Sequence, residues 1–356
     1  MDQKRIIGRN EYIDYLKGIA IFFVLWGHSI QYLSYGADEF WNDRVFSGIY
    51  SFHMPLFIFL SGYVFYYTCE KYDLKKIMIN RLRGLGIPMF FWGTLNFLLS
   101  LRGGMPATII EGIKQWEGEI LGIWFLWAVF VSSSIVAVVY KFNRHLVIRI
   151  LFAPLMVGII FLLPGKDGNL FVFPYFVIGF LFCKFKILET GIYFKIKWII
   201  ILMWLVLLHF YSKKHYIYIT GLFPNGSNGI IDQLKIDLFR YIIGLCGTIA
   251  IMEIFRFFYT KKENHFSIKW ILYGGKHSLD IYVMQRIFLE RWISTTFKRM
   301  VDISGINYLK TNVFIFDFFI TSACALFCYI VLTNISKLVE KSDVFSFILF
   351  GRRNSR

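Results

Sequence analysis

Charged residues are scarce in this sequence. Asp, Glu, Lys and Arg make up 17% of the 356 residues, against roughly 25% in a soluble domain. Hydrophobic residues make up 57%, and the mean hydropathy is +0.56. A water-soluble globule could not hide that much apolar surface. Because apolar segments of about 17–25 residues recur along the whole sequence, one soluble domain with a single anchor is also excluded.

Cysteine and acidic residues are also few. The five cysteines are scattered and form no C-x-x-C pair, so we predict neither a disulfide framework nor a metal site. Asp and Glu number 23 against 39 Lys and Arg, which gives a net charge of +16. In a membrane protein this excess is typical of cytoplasmic loops that face anionic lipid headgroups. We therefore predict a lipid bilayer, and no nucleic acid, as the partner of these charges.

Ten apolar segments predict about ten transmembrane helices in an all-α polytopic membrane protein. The first is too long for a signal-peptide core and has no A-x-A cleavage site, so we expect it to be retained. Loops on the side of the N-terminus hold roughly twice as many Lys and Arg as the opposite loops, which predicts that both termini are cytoplasmic. No long soluble insert is apparent, so residues 1–356 are taken as a single membrane domain. The predicted spans are 13–35, 46–67, 86–101, 122–140, 146–163, 170–187, 197–212, 238–256, 271–290 and 313–336.

The first span contains three ionisable residues, which are costly inside a bilayer and usually functional. Asp14 and Lys17 lie at its start, and His28 follows Lys17 by eleven residues. That spacing corresponds to about 16 Å along a helix. A neutral imidazole can take a proton from an alcohol or attack an acyl group. The alternative is a buried histidine that bonds to a neighbouring span.

The second span brings His53 to the depth of His28, about seven residues from the same membrane surface. Two ionisable residues at one depth on consecutive spans can share a polar cavity. Ser61 and Tyr63 follow in the same span and are further candidates. Helix packing at a small residue is the alternative for Ser61.

A basic segment follows the second span. Lys76, Arg81 and Arg83 belong to a group of five basic residues within thirteen positions, just before a helix that begins near Pro88. Arginine guanidinium groups and helix N-termini bind phosphates, so this segment is a candidate site for a phosphorylated donor. Ordinary cytoplasmic loop charge is the alternative.

Five motifs together resemble the membrane-bound acyltransferase 3 family. They occur in the family's order and cover spans one to four and nine. They are Asp14-x-x-Lys17-Gly18-Ile19-Ala20 with His28, the second-span segment FHMPLFIFLSGYVF at 52–65, Arg81-x-Arg83 ahead of Ile87-Pro88, Trp124-Phe125-Leu126, and YGGKHSLDIY at 273–282.

The resemblance implies an acyltransferase of the bacterial cell membrane. Such a protein moves an acyl group, usually acetyl, from cytoplasmic acetyl-CoA to a hydroxyl of a cell-surface carbohydrate or lipid-linked glycan. It implies that His28 and Lys17 are an essential pair, with Asp14 pairing to Lys17 or another basic group, and that Arg81 and Arg83 bind the donor. Whether the histidine acts as general base or is itself acylated stays open.

The sequence departs from the family pattern in three places. Lys17 stands where Arg is commoner, which loses a bidentate contact. Gly84 stands where an R-x-x-R motif has its second Arg. Gln285 occupies the His position of an I-Y-x-x-H motif, and we predict that it contacts substrate.

Two other classes suit the pattern less well. A transporter or flippase would use intramembrane charges as a substrate path, but no inverted repeat is apparent. A glycan polymerase would use a lipid-linked sugar and no CoA.

Trp124 is either part of an interfacial aromatic belt or a stacking surface for a sugar substrate.

Overall fold

The computed structural model describes residues 10–34, 39–141, 154, 158–223, 229–260, 266–304 and 313–352. Within these ranges the chain forms helices and turns and no strand, which confirms the all-α prediction. The α-helices are α1 (Glu11–Ser29), α2 (Arg44–Tyr50), α3 (His53–Lys71), α4 (Leu74–Arg81), α5 (Ile87–Ser100), α6 (Ile109–Leu121), α7 (Trp124–Lys141), α8 (Lys166–Lys184), α9 (Gly191–His209), α10 (Ile217–Thr220), α11 (Ile230–Thr260), α12 (Phe266–Lys276), α13 (Ser278–Ile287), α14 (Ser294–Ser304), α15 (Val313–Ile315), α16 (Thr321–Glu340) and α17 (Asp343–Phe350).

Eight helical segments of the described chain are long and apolar enough to cross a membrane, which confirms a polytopic membrane protein. The predicted span 146–163 lies mostly outside the described residues. The predicted span 271–290 forms two helices, α12 and α13, that are separated at His277. The number of ten and the cytoplasmic termini therefore stay predictions. The eight segments are Glu11–Leu33, Arg44–Lys71, Leu74–Gly103, Trp124–Lys141, Lys166–Lys184, Gly191–His209, Ile230–Thr260 and Phe316–Glu340.

Polar side chains that accept hydrogen bonds from the backbone fix where two of the helices begin. Asn10 accepts from the backbone N–H groups of Tyr12 and Ile13 at the start of α1. Asp43 accepts from the Phe46 N–H at the start of α2. Each of these bonds satisfies a backbone donor that has no partner inside its own helix.

The chain forms two compact units. The first comprises residues 1–60 and 181–334, and the second comprises residues 61–180 and 335–356. In the first unit, α1 packs along α12 through two glycines. A Cβ on Gly18 would collide with the backbone carbonyl of Ile271, and a Cβ on Gly275 would collide with that of Asp14. Small residues let helix backbones approach closely, so the two sequence motifs that contain these glycines pack against each other.

A second close contact in the first unit joins α9, α11 and the residues that precede α3. A Cβ on Gly247 would lie 2.7 Å from the Phe52 Cβ and 2.8 Å from the Trp204 Nε1. The Trp204 indole N–H donates to the Ser51 hydroxyl at 3.2 Å. The contact fixes the start of α3, where His53 lies.

The second unit is built on the same kind of packing. A Cβ on Gly93 of α5 would lie 2.5 Å from the Cα of Ile120 in α6, and Gly62 of α3 packs on the backbone of Phe176 in α8. The Trp92 indole N–H donates to the carbonyl of Leu349 at 2.9 Å, which ties α17 to α5.

Replacing Gly275 with alanine is expected to destabilise the protein by about 1–3 kcal/mol, because the added methyl group overpacks the α1–α12 contact. The measurement is the thermal unfolding midpoint of the detergent-solubilised protein. Gly48→Ala is the matched control, since nothing lies within 4 Å of a Cβ there. A midpoint for Gly275→Ala equal to that of the control would show that the close approach is not required.

Candidate active site

His28 lies in the last turn of α1 and makes two polar contacts through one ring nitrogen. Its Nδ1 is 3.0 Å from the Oε1 of Gln285 and 3.1 Å from the Oε1 of Glu290. The His28 side chain is 20% exposed and the Glu290 side chain 13%. The pair is thus largely withdrawn from solvent but still accessible. All three residues belong to the first unit.

The Glu290 carboxylate is held by its neighbours as well as by His28. The Gln285 side-chain N–H donates to its Oε1 at 2.9 Å, and the Tyr32 hydroxyl donates to its Oε2 at 3.1 Å. Because both oxygens accept hydrogen bonds, the carboxylate has a defined orientation beside the imidazole.

Two π-helical turns supply part of this arrangement. Tyr32 lies in the turn Ile30–Ser34, which continues α1, and Glu290 lies in the turn Phe288–Ile293, which continues α13. The wider turn changes which residues face a neighbouring helix, and such turns are frequent at functional sites. His28, Tyr32, Gln285 and Glu290 therefore meet although the two pairs are more than 250 positions apart in sequence.

The contacts of Nδ1 determine the protonation pattern of His28. Both partners of Nδ1 are oxygens that can accept, so an ionised Glu290 favours the tautomer with the proton on Nδ1. This assignment follows from the hydrogen-bond partners. The lone pair is then on Nε2, where it can take a proton, and the carboxylate stabilises the imidazolium that forms.

His53 lies at the first position of α3 and is buried. Its Nδ1 is 3.0 Å from the carbonyl oxygen of Ile49 and can donate to it. Its ring lies 4.3 Å from that of Tyr50, centroid to centroid. The Tyr50 hydroxyl donates to the Oε1 of Gln31, three residues after His28, at 3.4 Å. The structure thus brings His53 near the His28 group without a direct hydrogen bond to it among the described contacts.

Asp14 and Lys17 lie in the first half of α1, so about 16 Å of helix separates Lys17 from His28. Asp14 is buried and Lys17 is half-buried. The backbone of Asp14 lies against Gly275, which gives this part of the motif a packing role. The assignment of Lys17 to an essential pair with His28, and of Asp14 to pairing with Lys17 or another basic group, stays a prediction.

The other predicted site residues belong to the second unit. The Arg81 guanidinium lies over the Phe65 ring at 4.5 Å, Arg83 is half-buried in the turn after α4, and Lys76 is exposed. The donor role of these three residues stays a prediction, as does the substrate role of Ser61, Tyr63 and Trp124. In α3, Ser61 is half-buried and Tyr63 is buried; in α7, Trp124 is half-buried.

Sequence reasoning missed Glu290 and Tyr32. Glu290 is an acidic residue at the end of an apolar segment, at the same membrane surface as His28 in the predicted topology. An intramembrane carboxylate at the depth of a histidine is the signal that could have identified it. Gln285 contacts His28 and Glu290, and its predicted contact with substrate stays a prediction.

A helical membrane protein with a histidine–carboxylate pair among apolar helices is suited to removing a proton from a hydroxyl group. Within the described residues, no group of three or more His, Cys, Asp or Glu side chains could hold a metal ion.

Comparison with known proteins shows the family. The family model described as an acyltransferase domain matches residues 10–333. The chain therefore belongs to this acyltransferase family, which confirms the resemblance drawn from the motifs.

Two curated relatives are similar to part of the chain. Nodulation protein NolL of Mesorhizobium japonicum is 33% identical over 200 residues, covering 53% of this chain and 52% of that protein. Nodulation protein NolL of Sinorhizobium fredii is 33% identical over 181 residues, covering 48% of each. The chain thus spans about half the length of the curated relatives it matches. No solved structure matches it.

Glu290→Gln is expected to lower kcat for acyl transfer by roughly two to four orders of magnitude, because the amide can stabilise the wrong tautomer and cannot stabilise an imidazolium. The measurement is the steady-state rate of CoA release with acetyl-CoA as donor, per folded protein. Glu253→Gln is the matched control, because Glu253 is another buried carboxylate of the first unit and pairs with Lys197 at 2.7 Å. Equal rates for Glu290→Gln and this control would contradict the assignment.

Proposed function

We propose that the protein transfers an acetyl group from acetyl-CoA to a hydroxyl of a cell-surface carbohydrate or lipid-linked glycan. The observation that carries this proposal is the hydrogen bond between His28 and Glu290 in a chain of the acyltransferase family. An alcohol is a weak nucleophile near neutral pH and needs a base within hydrogen-bond reach. A neutral imidazole can act as such a base, and Glu290 sets the orientation of the His28 ring.

The proposed reaction is general-base catalysis. The Nε2 of His28 takes the proton of the acceptor hydroxyl as its oxygen attacks the thioester carbonyl. The tetrahedral intermediate then collapses, the carbon–sulfur bond breaks, and the CoA thiolate leaves. The imidazolium returns its proton to that thiolate, so the products are the O-acetyl ester and CoA-SH. Glu290 accepts the Nδ1–H throughout and stabilises the positive charge.

The donor would bind through its phosphates to Arg81 and Arg83, with Lys76 nearby on α4. An Arg guanidinium can bind a phosphate through two parallel hydrogen bonds. The packing of Arg81 on Phe65 supports the proposal, because an aromatic face holds the guanidinium plane without using its N–H donors. Location in a bacterial cell membrane with this segment at the cytoplasmic face is part of the same proposal.

His28→Ala is expected to abolish acyl transfer, because no other group then takes the hydroxyl proton. The measurement is transfer of radiolabelled acetyl from acetyl-CoA to the glycan fraction extracted from cells that lack the gene. His209→Ala is the control for loss of a histidine, since His209 is exposed at the end of α9. Full activity in His28→Ala would refute the mechanism, whereas no transfer by the unsubstituted protein would count against the proposed function.

Arg81→Ala/Arg83→Ala is expected to remove the stabilisation of the protein by CoA against thermal unfolding. A ligand at a hundred times its Kd stabilises a protein by about 2.7 kcal/mol, and the double substitution deletes the phosphate contacts. Lys114→Ala, an exposed cation of α6, is the control and should keep the stabilisation. If CoA stabilises neither the unsubstituted protein nor the control, the proposed donor is wrong.

A further inference from the structure

Arg240 is a buried cation of α11 that binds the backbone of the segment 213–221. Its Nε donates to the His215 carbonyl at 2.8 Å, and its NH1 donates to the Gly221 carbonyl at 2.6 Å. Its NH2 donates to the Tyr216 carbonyl at 3.1 Å. Asp237, one helical turn earlier, pairs with NH1 at 2.7 Å. One guanidinium thus fixes the path of a nine-residue segment, although a buried charge is costly to place in a membrane helix.

The segment 213–221 contains one buried tyrosine, Tyr216, and one exposed tyrosine, Tyr218. Tyr216 is buried, and its hydroxyl lies 2.8 Å from that of Ser47. Its ring lies 4.8 Å from that of Trp41. Tyr218, two residues later in α10, is 56% exposed. The centroid of its ring lies 6.4 Å from that of the Trp41 ring. Tyr216 therefore anchors the segment, and Tyr218 presents an aromatic face at the surface of the first unit.

Tyr218 belongs to an aromatic cluster that reaches the His28 group. The Trp41 ring, 6.4 Å from that of Tyr218, lies 4.8 Å from the ring of Tyr216. The Tyr216 ring lies 5.9 Å from that of Tyr50, and the Tyr50 hydroxyl donates to the Oε1 of Gln31 at 3.4 Å, in the turn that follows His28. Tyr50 also packs against His53, with ring centroids 4.3 Å apart, and Tyr32 donates to the Glu290 carboxylate. The exposed ring of Tyr218 thus lies at one end of a row of aromatic side chains whose other end meets the group that contains the proposed base.

We propose that Tyr218, together with Tyr32 and Tyr50, forms the subsite that binds a neutral sugar ring of the acceptor, and that Arg240 is a positioning residue that holds Tyr218 in place. The inference rests on the proposed function, since it assigns the acceptor side of that reaction. A tyrosine offers an apolar face for the C–H groups of a sugar and a hydroxyl for its polar edge. Such side chains, which extend from the surface to the group that contains the base, would orient one hydroxyl toward Nε2 of His28.

Tyrosines are also common at membrane interfaces, where they contact lipid headgroups. In that case Tyr218 would affect the stability of the protein in the membrane and would not affect recognition of the acceptor. The two roles differ in which kinetic constant changes when the ring is removed.

The test compares the apparent KM for each substrate in the purified full-length protein. The donor is acetyl-CoA and the acceptor is the glycan fraction from cells that lack the gene. Tyr218→Ala is expected to raise the apparent KM for the glycan fraction about tenfold and to leave the KM for acetyl-CoA within about twofold. Tyr218→Phe keeps the aromatic face and should restore most of the affinity. Tyr67→Ala, the loss of another exposed tyrosine, is the matched control.

Several results would overturn the inference while leaving the proposed function intact. The first is an unchanged KM for the glycan fraction in Tyr218→Ala. The second is a rise in the KM for acetyl-CoA as large as the rise in the KM for the glycan fraction. The third is a lower thermal stability with no change in either KM. Failure of the unsubstituted protein to acetylate the glycan fraction would instead refute the proposed function.

Arg240 is tested through the same constant. Arg240→Lys keeps a cation but loses the planar fork, so it should also raise the glycan KM. If Arg240 acts through Tyr218, the double variant Arg240→Lys/Tyr218→Ala should bind the glycan no more weakly than Tyr218→Ala alone. Additive increases in KM would show that Arg240 does not act through Tyr218. Because Tyr218→Ala alone decides the subsite, the inference stays testable even if Arg240→Lys does not fold.

Discussion

The hydrogen bond between the Glu290 carboxylate and the His28 imidazole is the contact on which the proposed chemistry depends. In an apolar environment neither group is stable alone, because an unpaired buried charge is costly. The carboxylate has its oxygens satisfied by Tyr32 and Gln285 as well as by His28. The helices that supply these side chains must therefore be placed within a fraction of an ångström, which puts a strict demand on the packing around α1.

Glycine packing meets that demand. Gly18 and Gly275 let the backbones of α1 and α12 touch, and α13, which carries Gln285, follows α12 directly after His277. His277 is itself held, since its ring stacks on Tyr273 at 4.1 Å and its Nδ1 lies 3.1 Å from an Asp280 oxygen. The late sequence motif thus combines a packing half with a half that leads into the site.

The sequence alone was enough to predict the membrane class and the family and to select His28 as a candidate, because hydropathy, ordered motifs and an energetically costly intramembrane histidine are local signals. It did not reveal Glu290 as the partner of His28, because 262 positions separate them and only tertiary packing selects one acidic residue among 23 Asp and Glu. The division of the predicted ninth span at His277 was hidden by its continuous hydropathy. The conformation of the segment 213–221 could not be predicted from the sequence, because it depends on hydrogen bonds from Arg240, nineteen or more positions away.

The π-helical turn that carries Glu290 has a consequence for how such a site can be inherited. A π-helical turn contains one residue more than an α-helical turn. Insertion of a single codon into an ordinary helix is therefore enough to form it. The residues before and after the insertion keep their helical neighbours, while the residues within it acquire a new direction. A change of one residue in this turn can in this way move a carboxylate into or out of reach of the histidine while the surrounding helices keep their packing.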